Sequence, residues 1–351
     1  MNFSEVQQRL KQIDPQNMWQ AVAGFGDQVE EASRIDLPVT CPINTQRITN
    51  ILFCGMGGSA IGGDLLATYF QNDLDVPLVV NRNYTIPGFV GENSLVVVSS
   101  YSGNTKETLS AFEAAEESGA QIIGISSNGE VENRMQASGY PLISIPGGMQ
   151  PRAALGFSFI PMARLFKQLE LVHTEVAADI EETIGQIRKL SEKYGSDSEE
   201  NTAFHTARDI IGTVPVVYTV PELEVVGVRW KGQLAENAHI LAFHNRLPEM
   251  NHNEIMGWDQ QPDFLSNISL IWLRDDSSHP GVLKRLTVTS DLIGAYPKNV
   301  MRFSTEGASW MTRLFSLIHL GDWISLYAAL LQEVDPTPVE RISLLKSRLA
   351  E

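Results

Sequence analysis

Short apolar runs separated by helix-length intervals constrain this chain more than any other feature. They stand at residues 50–54, 77–80, 94–99, 121–125 and 141–145. Runs this short, alternating with helical patterns, are what parallel strands joined by crossover helices require. The expected fold class is α/β, a doubly wound parallel sheet flanked by helices. The same style returns later, with strands expected near 214–220, 268–274 and 299–303, and helices at 308–332 and 338–349. Helical patterns at 3–13 and 18–32 precede the first strand, and a long polar helical stretch at 176–194, followed by the loop 195–201, divides the halves. At 351 residues the chain exceeds the usual size of one core, so two domains are expected, 1–165 and 166–351.

Charge narrows the partners. Lys and Arg number 26 against 42 Asp and Glu, a formal net charge of -16, which repels nucleic acid and anionic membrane surfaces at long range. The same field opposes an anionic substrate, so any phosphate must be held by local backbone N–H groups and a few placed side chains. Cys41 and Cys54 are too few for a disulfide framework and fit a reducing compartment. Residues 1–12 lack a positive segment followed by an apolar one, so no signal peptide is expected. The longest apolar stretch, 314–331, carries His319 and Asp322 and reads as a buried helix, not a membrane span. Cytoplasm is the expected compartment.

Two loops following strands carry the chemistry. The first runs from Gly55 through Met56, Gly57, Gly58, Ser59, Ala60 and Ile61 to Gly62. Its glycine spacing departs from the dinucleotide fingerprint, the next strand ends in Val80, Asn81 and Arg82 without an acid, and no Gly-Lys-Ser/Thr follows. No nucleotide cofactor is expected. The second is Ser99-Ser100-Tyr101-Ser102-Gly103-Asn104-Thr105. Hydroxyls at Ser100, Ser102 and Thr105 can converge on one tetrahedral anion while the next helix offers its free N–H groups. The plainer reading is a capping box of Asn104 with Glu107.

A third region places a helical carboxylate, Glu236, upstream of an imidazole, His252. Leu234, Ala235, Ala238 and Ile240 surround Glu236 in sequence, which suits a partly buried base. The spacing of His244, Glu249, His252 and Glu254 matches no zinc pattern, so no metal is expected. Thr337-Pro338-Val339-Glu340 reads as a capping box with proline at N1, and Lys346 as a cation near a helix end.

The hydroxyl loop resembles the phosphosugar loop of the sugar isomerase (SIS) domain, and Gly55–Ser59 its partner loop. Together with Pro151-Arg152-Ala153-Ala154-Leu155, Glu236-Asn237, Asn251-His252-Asn253-Glu254 and Asp335-Pro336-Thr337-Pro338, they resemble the bifunctional phosphoglucose/phosphomannose isomerase family over about residues 50–346. The resemblance implies two SIS domains per subunit and a homodimer whose active sites are shared, one subunit lending its histidine. It implies a hexose phosphate substrate and aldose-ketose isomerisation of glucose 6-phosphate or mannose 6-phosphate with fructose 6-phosphate. By similarity Ser59, Ser100, Ser102 and Thr105, with Gly57 and Gly58, hold the phosphate; Arg152 lies near the reacting carbons, Glu236 moves the proton and His252 assists ring opening. Thr337 matches a threonine near the sugar and Lys346 the family's C-terminal lysine. His239 stands where a lysine is expected, and Gly232 is expected to soften the start of the catalytic helix. The alternatives are a non-catalytic phosphosugar sensor, which needs the phosphate loop but no paired proton-transfer groups, and another SIS-type isomerase such as an aminosugar-phosphate isomerase.

Overall fold

The computed structural model describes residues 1–38 and 41–349. They form two compact units. One comprises Phe25–Gly185 and Ser309–Met311; the other Met1–Gly24, Gln186–Ala308 and the chain from Thr312 on. These units differ from a division at 165/166. Helix Leu155–Gln168 and the following residues to Gly185 stay with the first sheet, because that helix packs on helices Gly57–Tyr69 and Phe25–Ser33, while the first 24 residues join the second.

The first unit holds a five-stranded, all-parallel sheet in the order β2-β1-β3-β4-β5, with β1 at Asn50–Cys54, β2 at Leu78–Asn81, β3 at Ser94–Ser100, β4 at Gln121–Ser126 and β5 at Leu142–Ser144. Every residue of β1 and β3 is buried, which is why both read as continuous apolar runs and not as alternating ones. Leu52, Val96, Val98, Phe112, Val131 and Met135 form one cluster on a face of the sheet. Truncating Phe112 to alanine there would cost about 3–5 kcal/mol. On helix Gly57–Tyr69, Gly63 allows close approach to β1, since a Cβ there would lie 2.4 Å from the Phe53 ring. The strand order reverses between β1 and β3, so the carboxyl ends of these two strands border the crevice where such sheets bind ligands.

The second unit has a four-stranded parallel sheet, β7-β6-β8-β9: β6 Val214–Thr219, β7 Phe243–Arg246, β8 Ile268–Arg274 and β9 Asn299–Ser304. Strand β7 has no apolar run to announce it. As an edge strand it pairs on one side only, and Phe243 and Arg246 are exposed. Helix Trp310–Leu331 is long and apolar enough to cross a membrane by composition, but 94% of its most apolar window is buried within the protein. Asp322 on this helix accepts from Arg229 Nη2 at 2.7 Å and from Gln233 Nε2 at 2.7 Å, and Ser191 Oγ lies 2.8 Å from His319 Nε2.

The pattern expected at 18–32 is two helices, Met18–Ala23 and Phe25–Ser33, separated at Gly24, whose N–H donates back to Gln20 O at 2.9 Å.

Candidate functional site

In the first unit the sequence folds both special loops to the carboxyl ends of β1 and β3. The first closes into helix Gly57–Tyr69, with Gly57 in the left-handed region at φ 50°. A Cβ on Gly58 would fall 2.7 Å from Pro151 O, so glycine lets the turn Pro151–Ala153 pack on the helix start. Arg152 is thereby delivered beside this loop and is buried, at 4% exposure.

The second loop is tied to the first: Tyr101 N donates to Ser59 Oγ at 3.2 Å. Ser100 Oγ and Thr105 Oγ1 lie 3.1 Å apart, and Ser102 Oγ accepts from Asn104 N at 3.4 Å. The turn depends on Gly103, at φ 67°, where a Cβ would sit 1.7 Å from Asn128 O. Helix Lys106–Glu117 then starts with Thr105 as its N-cap and no side-chain cap bond. The capping box of Asn104 with Glu107 is absent. Asn104 instead donates to Ser102 O at 2.9 Å and accepts from Glu130 N at 3.2 Å, which bolts the loop to the next helix and leaves the start of helix Lys106–Glu117 uncapped by a side chain. This set of hydroxyls at a helix N-terminus suits a phosphate.

Residues that sequence reasoning missed hold this frame. Ser126 Oγ donates to Ser100 O at 2.7 Å, Met149 N donates to Tyr101 Oη at 3.0 Å, and Gln28 accepts from Gly156 N at 2.8 Å while donating to Ala153 O at 2.7 Å. Gln28 is a buried polar side chain on an otherwise amphipathic helix, and only its distant backbone partners explain it.

The second unit contains Glu236, His252, Thr337 and Lys346. Helix Glu224–Ala238 begins well before Gly232, so that glycine lies in its interior and not at its start. The helix is fixed by its buried face: Arg229 and Gln233 on Asp322, Trp230 Nε1 donating to Leu317 O at 2.8 Å, and Asn237 Nδ2 to Ser325 Oγ at 3.0 Å. Glu236, half-buried, projects beside that face. With Ala235, His239, Ile240, Leu241 and residues 338–342 it lines a cavity of about 680 Å³. His239 ends the helix in the left-handed conformation, φ 55°.

His252 is exposed at the end of the 3-10 turn Glu249–His252. Its loop is anchored underneath: Met250 and Trp258 are buried, Trp258 Nε1 donates to Tyr218 Oη at 2.9 Å, Tyr218 donates to Glu254, and Asn251 Nδ2 donates to Thr289 Oγ1 at 2.8 Å. Burial, then the Glu254 carboxylate, push the Tyr218 phenol up, keeping it a neutral donor. His244 is pushed down to about 4 by burial and then by Lys231 and Arg246. Its ring packs over Gly227, where a Cβ would come within 2.2 Å, so it joins β7 to the Glu236 helix as a neutral side chain.

Thr337 is buried and its N–H donates to Asp335 Oδ1 at 3.0 Å. The capping box expected there is absent, because the last helix starts at Glu340 with Val339 as N-cap and no side-chain cap bond. Lys346 lies exposed in its last turn. Neither His252, Thr337 nor Lys346 lines the Glu236 cavity.

Comparison with known proteins agrees with this arrangement. Residues 46–137 match the SIS domain, and residues 199–349 the bacterial phospho-glucose isomerase C-terminal SIS domain. A bifunctional phosphoglucose/phosphomannose isomerase of Caldicellulosiruptor bescii is 39% identical over 337 residues, 95% of this chain and 99% of the relative; one of Aquifex aeolicus is 35% identical over 85% and 90%. A hypothetical protein from Thermus thermophilus, 16% identical, shares the fold with a TM-score of 0.73 over 99% of this chain and 94% of its own. Two parallel sheets of the SIS type, a hydroxyl loop at the first switch point, and near full-length identity of this order place the chain in one group: it belongs to the bifunctional phosphoglucose/phosphomannose isomerase family.

Proposed function

We propose that this protein interconverts glucose 6-phosphate and mannose 6-phosphate with fructose 6-phosphate by moving a proton between C1 and C2 through an enediolate. The observation that carries the reading is the switch-point cradle of Ser59, Ser100, Ser102 and Thr105 at the start of helix Lys106–Glu117. In this reading the cradle, with Gly57 and Gly58, holds the phosphate. His252 takes the O1 proton and delivers it to the ring oxygen as the C1–O5 bond breaks, opening the hexose. Glu236 then removes the C2 proton and returns it to C1, since one base must reach both carbons. Arg152 offsets the negative charge that develops on the enediolate oxygens, an interaction stronger in the transition state than in the ground state. The family likeness adds Thr337 as a residue near the sugar and Lys346 as the family's C-terminal lysine. The protein works in the cytoplasm as a homodimer, each site taking His252 from the neighbouring subunit.

A coupled assay with both hexose 6-phosphates tests the reaction, and Glu236→Gln tests the base. The amide keeps the shape but accepts no proton, so kcat falls by at least about a hundredfold while fructose 6-phosphate still binds. Near-normal turnover removes Glu236 from the mechanism. Mixing inactive Glu236→Gln and His252→Ala chains under conditions of demonstrated subunit exchange restores part of the activity if the histidine crosses the dimer; no restoration keeps His252 within its own subunit.

A further inference from the structure

The second unit repeats the topology of the first. Strand β8 lies between β6 and β9 as β3 lies between β1 and β4, and each of the two leads through a short loop into a helix, Lys106–Glu117 after β3 and Pro280–Ile293 after β8. The place of the hydroxyl loop is taken by Asp275-Asp276-Ser277-Ser278-His279. The Asp275 carboxylate, 1% exposed, is surrounded there by donors. Its Oδ1 accepts from Ser277 N at 2.8 Å and from Ser277 Oγ; its Oδ2 accepts from Thr305 Oγ1 at 2.6 Å and from Arg313 Nε at 2.9 Å. Two hydroxyls, one backbone N–H and one guanidinium around a buried anion form the kind of donor set that recognises a phosphate group. At the neighbouring strand end, where the first unit has its glycine loop, Glu222 accepts from Ser278 Oγ at 3.1 Å.

We propose that Asp275 is a built-in anion that fills the second unit's counterpart of the phosphate loop, so that this unit keeps the geometry of an anion site while excluding phosphosugar from it. Glu222, bonded to Ser278, adds a second negative charge beside the loop. A dianionic phosphate would have to displace a buried carboxylate already paired with Arg313 and would then face Glu222. The proposal rests on the reading that the first unit's loop binds phosphate.

Isothermal titration of the full-length protein with fructose 6-phosphate, and separately with inorganic phosphate, tests it. The wild type takes up one equivalent per chain, and Ser102→Ala/Thr105→Ala weakens that binding at least tenfold. In Asp275→Ala, which leaves Arg313, Thr305 and Ser277 without their anion, inorganic phosphate binds to a second, weaker site, and phosphate raises the Tm of the variant more than that of the wild type. Asp275→Ser, whose shorter, uncharged side chain also vacates the space among Arg313, Thr305 and Ser277, shows the same phosphate-dependent gain in Tm if the alanine variant does not fold. A second equivalent in the wild type that survives Ser102→Ala/Thr105→Ala overturns the proposal, as does a phosphate effect no larger in the Asp275 variants than in the wild type. A single wild-type equivalent unaffected by Ser102→Ala/Thr105→Ala overturns instead the assignment of phosphate to the first loop.

Discussion

The loops after β3 and β8 occupy matching places in two sheets of like topology, yet they are held by different physics. The first is shaped by backbone: Gly103 in the left-handed region, Val131 N donating to Gly103 O at 3.0 Å, and Asn104 tying down the turn. Its hydroxyls carry no charge and meet one another or single backbone amides. The second is shaped by a charge and its donors, Asp275 with Ser277, Thr305 and Arg313. A neutral set of hydroxyls carries no charge to oppose an anion; a loop that already contains a carboxylate does. Topology therefore supplies two equivalent positions, and a few side chains decide the charge found at each.

Substitutions can separate these two modes of support. The largest effect is expected from Gly103→Ala, because the added Cβ meets backbone and not a movable side chain. A loss of more than about 3 kcal/mol, read as a shift in denaturant midpoint, would show that the first loop depends on backbone geometry. A loss below about 1 kcal/mol would remove that distinction.

Next in size is Arg313→Ala, which leaves a buried carboxylate without its cation at a cost of about 2 kcal/mol, reduced because Arg313 is itself part-exposed. The same pair gives a pH signature. Burial raises the Asp275 pKa, but bonds from Ser277 and Thr305 and the charge of Arg313 outweigh it, and the net shift is downward from 3.8. A carboxylate with a depressed folded pKa contributes stability that is present above its unfolded pKa and lost as pH falls through the folded one. Equilibrium unfolding between about pH 5 and 2 should therefore lose more stability in the wild type than in Asp275→Asn. Equal acid sensitivity would mean that the charge of Asp275 does not support the loop.

The smallest effect on folding is expected in the first loop's hydroxyls. If these hydroxyls hold the phosphate as proposed, Ser102→Ala and Thr105→Ala each raise KM by the equivalent of about 1–2 kcal/mol with little change in Tm, because phosphate would be held alike in ground and transition states. A loss of stability without a change in KM would make these hydroxyls part of the loop's own support, as Asp275 is in the other unit.

The sequence by itself determined the α/β class, because strands buried on both faces must be continuous apolar runs, and it marked both special loops, because glycine and hydroxyl clusters after such runs have few other uses. It also marked Glu236 and His252 as residue types suited to proton transfer. Only the tertiary structure decided which local signals are used. Asn104 and Thr337 carry the pattern of capping boxes, but neither caps its helix, since Asn104 is claimed by Glu130 N and the last helix begins at Glu340, beyond the reach of a cap at Thr337. Strand β7 escaped notice because its polar sequence pairs on one side only. The support of the Glu236 helix by Asp322, and of the turn that carries Arg152 by Gln28, joins residues far apart in the chain. Such partners leave no periodic trace, because a hydrogen bond between distant segments depends on where the fold brings them and not on their spacing along the sequence.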